Sequence, residues 1–212
     1  MSASSSSSSS GVGGGQPATG CSDRTREGFV DEARYPRIAA CAGGFQVPGV
    51  LSTTPTCARA AGNDGARPQG SGCSAADLCA FGFHVCASEA EVAALAPAGC
   101  ADATPEPNQF FATGQSSTGC GICALGTSTD PTVCTGCSCA TDCAQTSITA
   151  NDVFGCGDVG AATTACGVLN AFSNDVCMAL PGPWTCGADG CDEANNVSKS
   201  GPDAGGVLCC AD

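Results

Sequence analysis

Apolar residues in this chain come in short runs, and polar residues, Gly and Pro separate the runs throughout. No run approaches the roughly 20 apolar residues that a membrane-spanning helix needs. Short apolar runs between turn-forming residues are typical of short strands and short helices. The pattern therefore predicts an α+β protein with short helices, a small antiparallel sheet, long loops and no membrane span.

The clearest local signals lie between residues 74 and 97. Ser74-Ala-Ala-Asp77 has the capping-box pattern and predicts a short helix through Cys79. Ser88-Glu-Ala-Glu91 predicts a second helix, which Pro97 ends. The apolar residues 81–86 lie between the two and predict a strand. The expected order is therefore helix, strand, helix.

Other segments give weaker predictions. Residues 110–113 and residues 205–210 are apolar and predict two further strands, the second of which closes the domain. Residues 41–57 hold short apolar pieces broken by Gly and Pro, which predict short strands. Residues 23–37 mix basic and acidic side chains and predict a short helix or turn.

Cysteine is the feature of composition that changes this picture most. Twenty of the 212 residues are Cys, and only eight Phe, one Tyr and one Trp are aromatic. A core so poor in large side chains buries little apolar area, whereas each disulfide typically adds about 2–4 kcal/mol of stability. An even, dense set of cysteines predicts a disulfide framework and an extracellular or cell-surface location.

The chain divides into two predicted parts. Residues 1–20 are rich in Ser and Gly and predict a disordered tether, and residues 21–212 predict one disulfide-rich extracellular domain. The residues after Met1 contain neither the basic nor the apolar region of a signal peptide. We therefore expect either that the true start lies upstream of this Met or that export is non-classical.

Charge excludes some partners. Twenty acidic and seven basic residues give a net charge of −13. Nucleic-acid binding needs clustered Lys and Arg to neutralise phosphates, and binding to anionic lipid needs the same. We therefore expect no nucleic-acid partner and no docking on anionic membranes.

The sequence offers two candidate metal sites. The cluster Cys134-x2-Cys137-x-Cys139-x3-Cys143 could bind zinc or an iron–sulfur cluster, but its spacing departs from the ferredoxin pattern and disulfides explain it better. Calcium is the other candidate, because Asn and Asp oxygens in loops are its usual ligands, although turn formation explains the same residues. The calcium candidates are Asn151, Asp152, Asn174 and Asp175. No other cofactor is expected.

Catalytic chemistry is not indicated. His84 is the sole histidine and lies between Phe83 and Val85, which predicts a packing role rather than a general base. No Ser-His-Asp arrangement can be assembled, and no Cys is a nucleophile if all are oxidised. The sequence thus favours a protein that is not an enzyme.

A family resemblance rests on residues 75–95. A helix that ends in Cys79 is followed by Gly82 and His84 on a strand and then by Ser88 and a Glu-bearing helix. This order resembles the opening of C-type lectin-like and Link domains. The whole chain also resembles Cys-rich secreted or lipoprotein-type proteins of soil bacteria such as myxobacteria, a likeness that implies no function.

The resemblance implies a fold and a disulfide. Trp184, Cys186 and residues 207–209 are similar to the family's late Trp, late Cys and closing strand, so a C-type lectin-like fold is expected. In that family Cys79 would pair with Cys209 or Cys210. Glu106-Pro107-Asn108 matches a sugar-selecting calcium triplet in letters, but it precedes the aromatic strand, so we interpret the match as coincidence.

Adjacent cysteines rarely bond each other, so Cys209 and Cys210 are each expected to pair with a distant partner. Structural disulfides are expected to involve Cys79, Cys86, Cys100, Cys186, Cys209 and Cys210. The leading hypothesis for function is a non-enzymatic extracellular binding module for glycan or protein. The alternatives are a structural cell-surface protein without a dedicated ligand and a cytosolic thiolate metal-binding protein.

Overall fold

Short strands and short helices make up the described part of the chain. The computed structural model describes residues 19–103, 105–116, 153–157, 166–169, 182–185 and 193–212. The strands are β1 (Ile38–Ala42), β2 (Phe83–Val85), β3 (Phe110–Ser116), β4 (Val153–Gly157), β5 (Cys166–Val168), β6 (Trp184–Thr185), β7 (Ser198–Lys199) and β8 (Gly205–Ala211). The helices are α1 (Glu89–Leu95), α2 (Glu193–Asn196) and the 3-10 helices Ala75–Leu78 and Gly99–Asp102. This content confirms the disulfide-rich α+β class.

Strand β8 is the centre of the larger sheet. Strand β1 pairs antiparallel with one edge of β8, with Ile38 opposite Cys210. The other edge of β8 pairs in parallel with β3 near its start and antiparallel with β2 near its end. Strands β4 and β5 follow β3 in antiparallel order, whereas β6 and β7 form a separate pair. The sheet is therefore antiparallel apart from the β3–β8 pair.

The larger sheet separates two apolar clusters. Alternate residues of a strand point to opposite faces, and Val207 and Cys209 of β8 belong to one cluster, whereas Leu208 and Cys210 belong to the other. The aromatic side chains of the first cluster are Phe45, Phe83, Phe110 and Trp184, and those of the second are Phe29, Tyr35 and Phe111. Burial on both faces explains why β8 is an unbroken apolar run.

Small residues allow β1 and β8 to lie close together. A Cβ placed on Gly206 would overlap the carbonyl oxygen of Cys41. Gly205 has φ +89° and a Cβ there would overlap the carbonyl oxygen of Phe110, so both spacing and backbone conformation require glycine. The start of β8 can therefore lie between β1 and β3 only because Gly205 and Gly206 have no side chains.

The local helix predictions are confirmed in part. Ser88 caps α1, because its Oγ accepts the N–H of Glu91, and α1 ends before Pro97 as expected. The other capping-box segment forms only a 3-10 turn over Ala75–Leu78, which ends before Cys79. The strand expected at residues 81–86 is the shorter β2.

The prediction of strands in residues 41–57 is wrong. Apart from the end of β1, only Phe45 pairs there, through a single bridge to Lys199. Residues 23–37 form turns and no helix. Of the expected tether, only Thr19 and Gly20 are described, and the carbonyl of Gly20 accepts the N–H of Ala80.

Five disulfides join distant segments in the described chain. They are Cys21–Cys41, Cys57–Cys73, Cys79–Cys209, Cys86–Cys210 and Cys100–Cys156. The expected pairing of Cys79 with the last strand is confirmed, and so is the separate pairing of the two adjacent cysteines. Cys186 lies outside the described residues. This many disulfides is typical of proteins that fold in an oxidising, extracellular environment. None of the described helices is long and apolar enough to cross a bilayer.

Candidate functional site

A surface pocket lies at one end of the larger sheet. Strands β3 and β8 are parallel, so both begin at this end, and β1, which is antiparallel to β8, finishes there. The pocket has a volume of about 360 Å³. Its polar lining comes from Glu27, Asn63, Asn108, Gln109 and Asp203. Its apolar lining comes from Ala42, Ala204 and the prolines 107, 183 and 202.

Glu27 is held in a fixed position in the pocket wall. Its Oε2 accepts the backbone N–H of Ala42 at 2.7 Å, and its Oε1 accepts the Nδ2–H of Asn63 at 2.7 Å. Burial raises the pKa of the Glu27 carboxyl above its ordinary value, although these two hydrogen bonds oppose the shift. Glu27 and Asn63 therefore form a fixed, hydrogen-bonded pair in the pocket wall.

Two residues of the rim have left-handed backbone conformations. Asn108 has φ +63° and Ala204 has φ +65°, conformations that are costly for residues other than Gly. The carbonyl oxygen of Ala204 accepts the indole Nε1–H of Trp184 at 2.9 Å and the N–H of Phe110 at 3.3 Å. These bonds hold the rim in place. The stretch 106–108, whose match to a sugar-selecting triplet we interpreted as coincidence, thus supplies two lining residues.

Buried aromatic rings support the pocket from below. Trp184 packs edge-to-face against Phe45, with ring centroids 5.9 Å apart, and against Phe110 at 6.0 Å. Since all three side chains are buried and Trp184 is also hydrogen-bonded, this layer is rigid.

The amine of Lys199 lies behind the pocket wall. The residue is only 1% exposed, and its Nζ donates to the carbonyl oxygens of Gly43 at 3.0 Å and Gly201 at 2.7 Å. Gly43 and Gly201 directly adjoin two lining residues, Ala42 and Pro202. The amine therefore lies close to the pocket without being part of its surface.

Burial changes the acid–base behaviour of this amine. It lowers the pKa of Lys199 from 10.5 to about 7, although the negative charges of Asp203 and Glu27 oppose the shift. The Nζ also lies 5.7 Å from the centroid of the Trp184 ring. Sequence reasoning missed Lys199, because a lysine between two serines on a short strand is ordinarily exposed.

His84 differs from its expected role. Its Nδ1 lies 2.8 Å from Oδ1 of Asp212, and its Nε2 lies 3.0 Å from Oε1 of Glu91. The interpretation of His84 as an apolar packing residue is therefore wrong, since its ring is partly exposed and bridges two carboxylates. The bridge links β2 to α1 and to the residue after β8.

Cys57, Cys73 and Asp77 are close enough to suggest a metal site, with ligand atoms within 4.8 Å of one another. The two sulfurs, however, are joined in a disulfide. The carboxylate of Asp77 accepts backbone N–H groups from residues 56, 57, 59 and 74. Burial alone would raise the pKa of Asp77, but these hydrogen bonds outweigh it and lower the pKa below its ordinary value. This cluster is structural.

The calcium candidates Asn151, Asp152, Asn174 and Asp175 lie outside the described residues, and so do the cysteines from 134 to 143. A second pocket, of about 390 Å³, is lined by Val30, Asp31, Tyr35, Ala101 and the ion pair of Arg34 with Asp102. Four polar side chains line it, and two of them are paired with each other, whereas five line the first pocket, which is therefore the stronger candidate for a binding site.

The chain matches no protein-family model and no solved structure. The likeness of residues 75–95 to C-type lectin-like domains therefore stays a prediction.

Proposed function

We propose that this protein is a non-enzymatic extracellular binding module whose pocket takes a hydroxyl-rich ligand, a glycan. The observation that carries the proposal is the polar lining of the pocket: two acidic residues and three residues with side-chain amides line a volume of about 360 Å³. Sugar hydroxyls both donate and accept hydrogen bonds, and carboxylates and amides supply the complementary acceptors and donors.

Rigidity supports the same function. The pocket is formed by strand ends, and the wall residue Glu27, the rim residue Ala204 and the underlying Trp184 are all held by hydrogen bonds. A preformed site loses little conformational freedom when a ligand binds, so more of the contact energy is retained as affinity. The disulfide Cys21–Cys41 ties the segment that contains Glu27 to β1.

The lectin-like reading of the fold is part of this proposal. The Cys79–Cys209 disulfide joins the first helical turn to the last strand, the pairing that the resemblance implies. The disulfides further support an extracellular or cell-surface location.

Binding of the whole oxidised protein to a glycan array tests the proposal, followed by calorimetric titration of the best neutral oligosaccharide with and without a calcium chelator. Asn108→Gly removes the side-chain amide, and glycine tolerates the φ of +63° at this position. Asp203→Asn removes the negative charge and keeps the shape of the side chain nearly the same. Each change is expected to weaken binding about tenfold, the effect of one lost hydrogen bond.

Arg34→Ala is the matched control, because Arg34 lines the other pocket. Its affinity should equal that of the unchanged protein. Failure of every glycan to bind, or equal affinity in the Asn108→Gly and Asp203→Asn variants, would contradict the assignment of a glycan to this pocket.

A structural surface protein is the second candidate, and the five disulfides of the described chain favour it. Such a protein needs durability rather than a ligand. The array separates the two functions, since this candidate requires that no glycan and no extracellular protein binds at the pocket.

A further inference from the structure

A straight, exposed stretch of chain lies outside the pocket. Residues 51–55 (Leu-Ser-Thr-Thr-Pro), called the exposed loop below, run without a turn, bend, helix or strand. Leu51, Ser52, Thr53 and Thr54 are all exposed. Proline also disfavours the helical conformation in the residue before it, so Thr54 is held extended.

The chain is fixed immediately before the exposed loop. The N–H of Gly49 donates to the carbonyl oxygen of Val197 at 2.8 Å, and the N–H of Val50 donates to that of Ala194 at 2.9 Å. The side chain of Val50 is fully buried. The residues that precede the exposed loop are therefore anchored to the folded domain.

The chain is fixed again at the far end. The Oγ–H of Ser74 donates to the carbonyl oxygen of Thr54 at 2.9 Å, and the N–H of Thr56 donates to Oδ2 of Asp77 at 2.7 Å. The next residue, Cys57, is in a disulfide. Both ends of the exposed loop are thus clamped to the folded domain.

Between these clamps the backbone has few partners in the part of the chain that the structure describes: the N–H of Thr54 donates to Oγ of Ser52 at 3.3 Å. Within the described chain, the N–H and C=O groups of Leu51, Ser52 and Thr53 make no hydrogen bond to protein, and neither does the Thr53 hydroxyl. An extended peptide with free backbone groups is the form that a protein cleft recognises by strand addition. Because the clamps hold that form in advance, binding would order little additional chain.

We propose that the exposed loop docks in the substrate cleft of an extracellular endopeptidase and that the protein is a competitive, non-covalent inhibitor of that enzyme. Thr53 is the middle residue of the loop and is assigned to the primary specificity pocket. A small pocket of the elastase type accepts a side chain of this size, whereas a pocket that requires a cation does not. The proposal is independent of the glycan pocket.

The clamps decide between this partner and another class. An enzyme that attaches a sugar to Thr53 would need only an exposed hydroxyl, and fixing both ends of the loop would add nothing. A protease cleft gains affinity from a loop that keeps its shape and resists displacement from the cleft. The clamped geometry therefore favours the protease.

The experiment measures inhibition of elastase, chymotrypsin and trypsin by the full-length oxidised protein, using small chromogenic substrates. We expect competitive inhibition of elastase and at least tenfold weaker inhibition of trypsin. Thr53→Lys should reverse this preference by at least tenfold, because it places a cation in the specificity position. The change is at an exposed side chain that has no partner among the described residues, so we expect folding to be unaffected.

Phe81→Lys is the control, since Phe81 is 89% exposed and lies outside the loop. It should leave both inhibition constants unchanged. Three results would overturn the proposal. The first is that neither the unchanged protein nor Thr53→Lys inhibits a protease, and the second is that the exposed loop is cleaved as fast as an ordinary peptide substrate is. The third is a sugar on Thr53 in protein isolated from its native source.

Discussion

Cys209 and Cys210 are adjacent in β8, and their disulfides lie on opposite faces of the sheet. Cys209 bonds Cys79 within one apolar cluster, and Cys210 bonds Cys86 within the other. Successive residues of a strand point in opposite directions, so an adjacent pair can fasten both cores to the same strand. The arrangement ties the end of the described chain to the segment around β2 twice.

Because the two disulfides close nearly the same loop, their contributions to stability depend on each other. While Cys86–Cys210 remains, removal of Cys79–Cys209 frees only a short segment. Removal of both frees a loop of more than one hundred residues, from the sequence separations of 130 and 124. We expect removal of one of these disulfides to lower the free energy of unfolding by about 2–3 kcal/mol. Removal of the remaining one should then lower it by about 5 kcal/mol more.

Urea unfolding of three variants measures these costs. They are Cys79→Ala/Cys209→Ala, Cys86→Ala/Cys210→Ala and the variant that carries all four changes. The Cys57→Ala/Cys73→Ala variant is the control, because its disulfide closes an independent loop with a separation of 16. Its cost should add to that of either double variant. Simple additivity of the two β8 disulfides would show that they do not share a loop.

Local signals were enough to predict the elements around these cysteines. Helix α1 has its cap and its terminating proline in sequence, and β8 and the first residues of β3 are apolar runs. Strand β1 could not be predicted, because its sequence Ile-Ala-Ala-Cys-Ala has little intrinsic strand propensity. It is a strand because β8 pairs with it along its whole length, and that pairing is set by tertiary structure.

The carboxylate of Asp77 holds the segment after the exposed loop in place, because it accepts the backbone N–H groups of residues 56, 57 and 59. Asp77→Asn places an amide N–H₂ where backbone N–H groups need an acceptor, so we expect a loss of about 3 kcal/mol at neutral pH. Because the pKa of Asp77 is lower in the folded protein than in the unfolded chain, its stabilisation is present above the unfolded value of 3.8. It is lost as the pH falls through the folded value.

Urea unfolding at pH 7 and at steps below pH 4 measures both effects. The Asn variant should lack this part of the acid dependence, since it cannot be protonated. Glu106→Gln, at an exposed side chain, should keep the acid dependence of the unchanged protein. An Asn variant that loses stability in acid as steeply as the unchanged protein would contradict the role given to Asp77.

The candidate pocket could not be predicted from sequence, for a different reason. Glu27, Asn63, Asn108 and Asp203 belong to four separate segments, and no spacing motif connects them. They meet because β1, β3 and β8 have their ends at the same edge of the sheet. The sequence showed only the stretch 106–108, and its letters alone did not distinguish a lining segment from chance.

Substitutions of Asn108 test whether the fold imposes the left-handed backbone conformation at this position of the rim. Asn and Gly tolerate the left-handed conformation, whereas β-branched residues do not. We expect Asn108→Gly to leave the free energy of unfolding nearly unchanged and Asn108→Val to lower it by about 1–2 kcal/mol. Thermal unfolding of both variants provides the comparison. If the Val variant were as stable as the Gly variant, the rim would not hold φ +63° in solution.

Lys199 makes stability depend on pH above neutrality. Its pKa is about 7 in the folded protein and 10.5 in the unfolded chain, so between these values the unfolded chain binds more protons. Stability therefore rises as the pH increases from 7 towards 10.5, with a slope from this group of up to about 1.4 kcal/mol per pH unit. Below pH 7 the folded amine is protonated as well, and this contribution to the slope disappears.

Urea unfolding from pH 6 to pH 9 should show this rise in the unchanged protein and not in Lys199→Met. Met keeps much of the apolar packing of the Lys stem and has no proton to exchange. Arg67→Met, which removes a cation elsewhere on the chain, is the control and should retain the slope. Equal slopes in the Lys199→Met variant and the unchanged protein would mean that the amine titrates at its ordinary pKa, and that it is not enclosed between Gly43, Gly201 and the Trp184 ring.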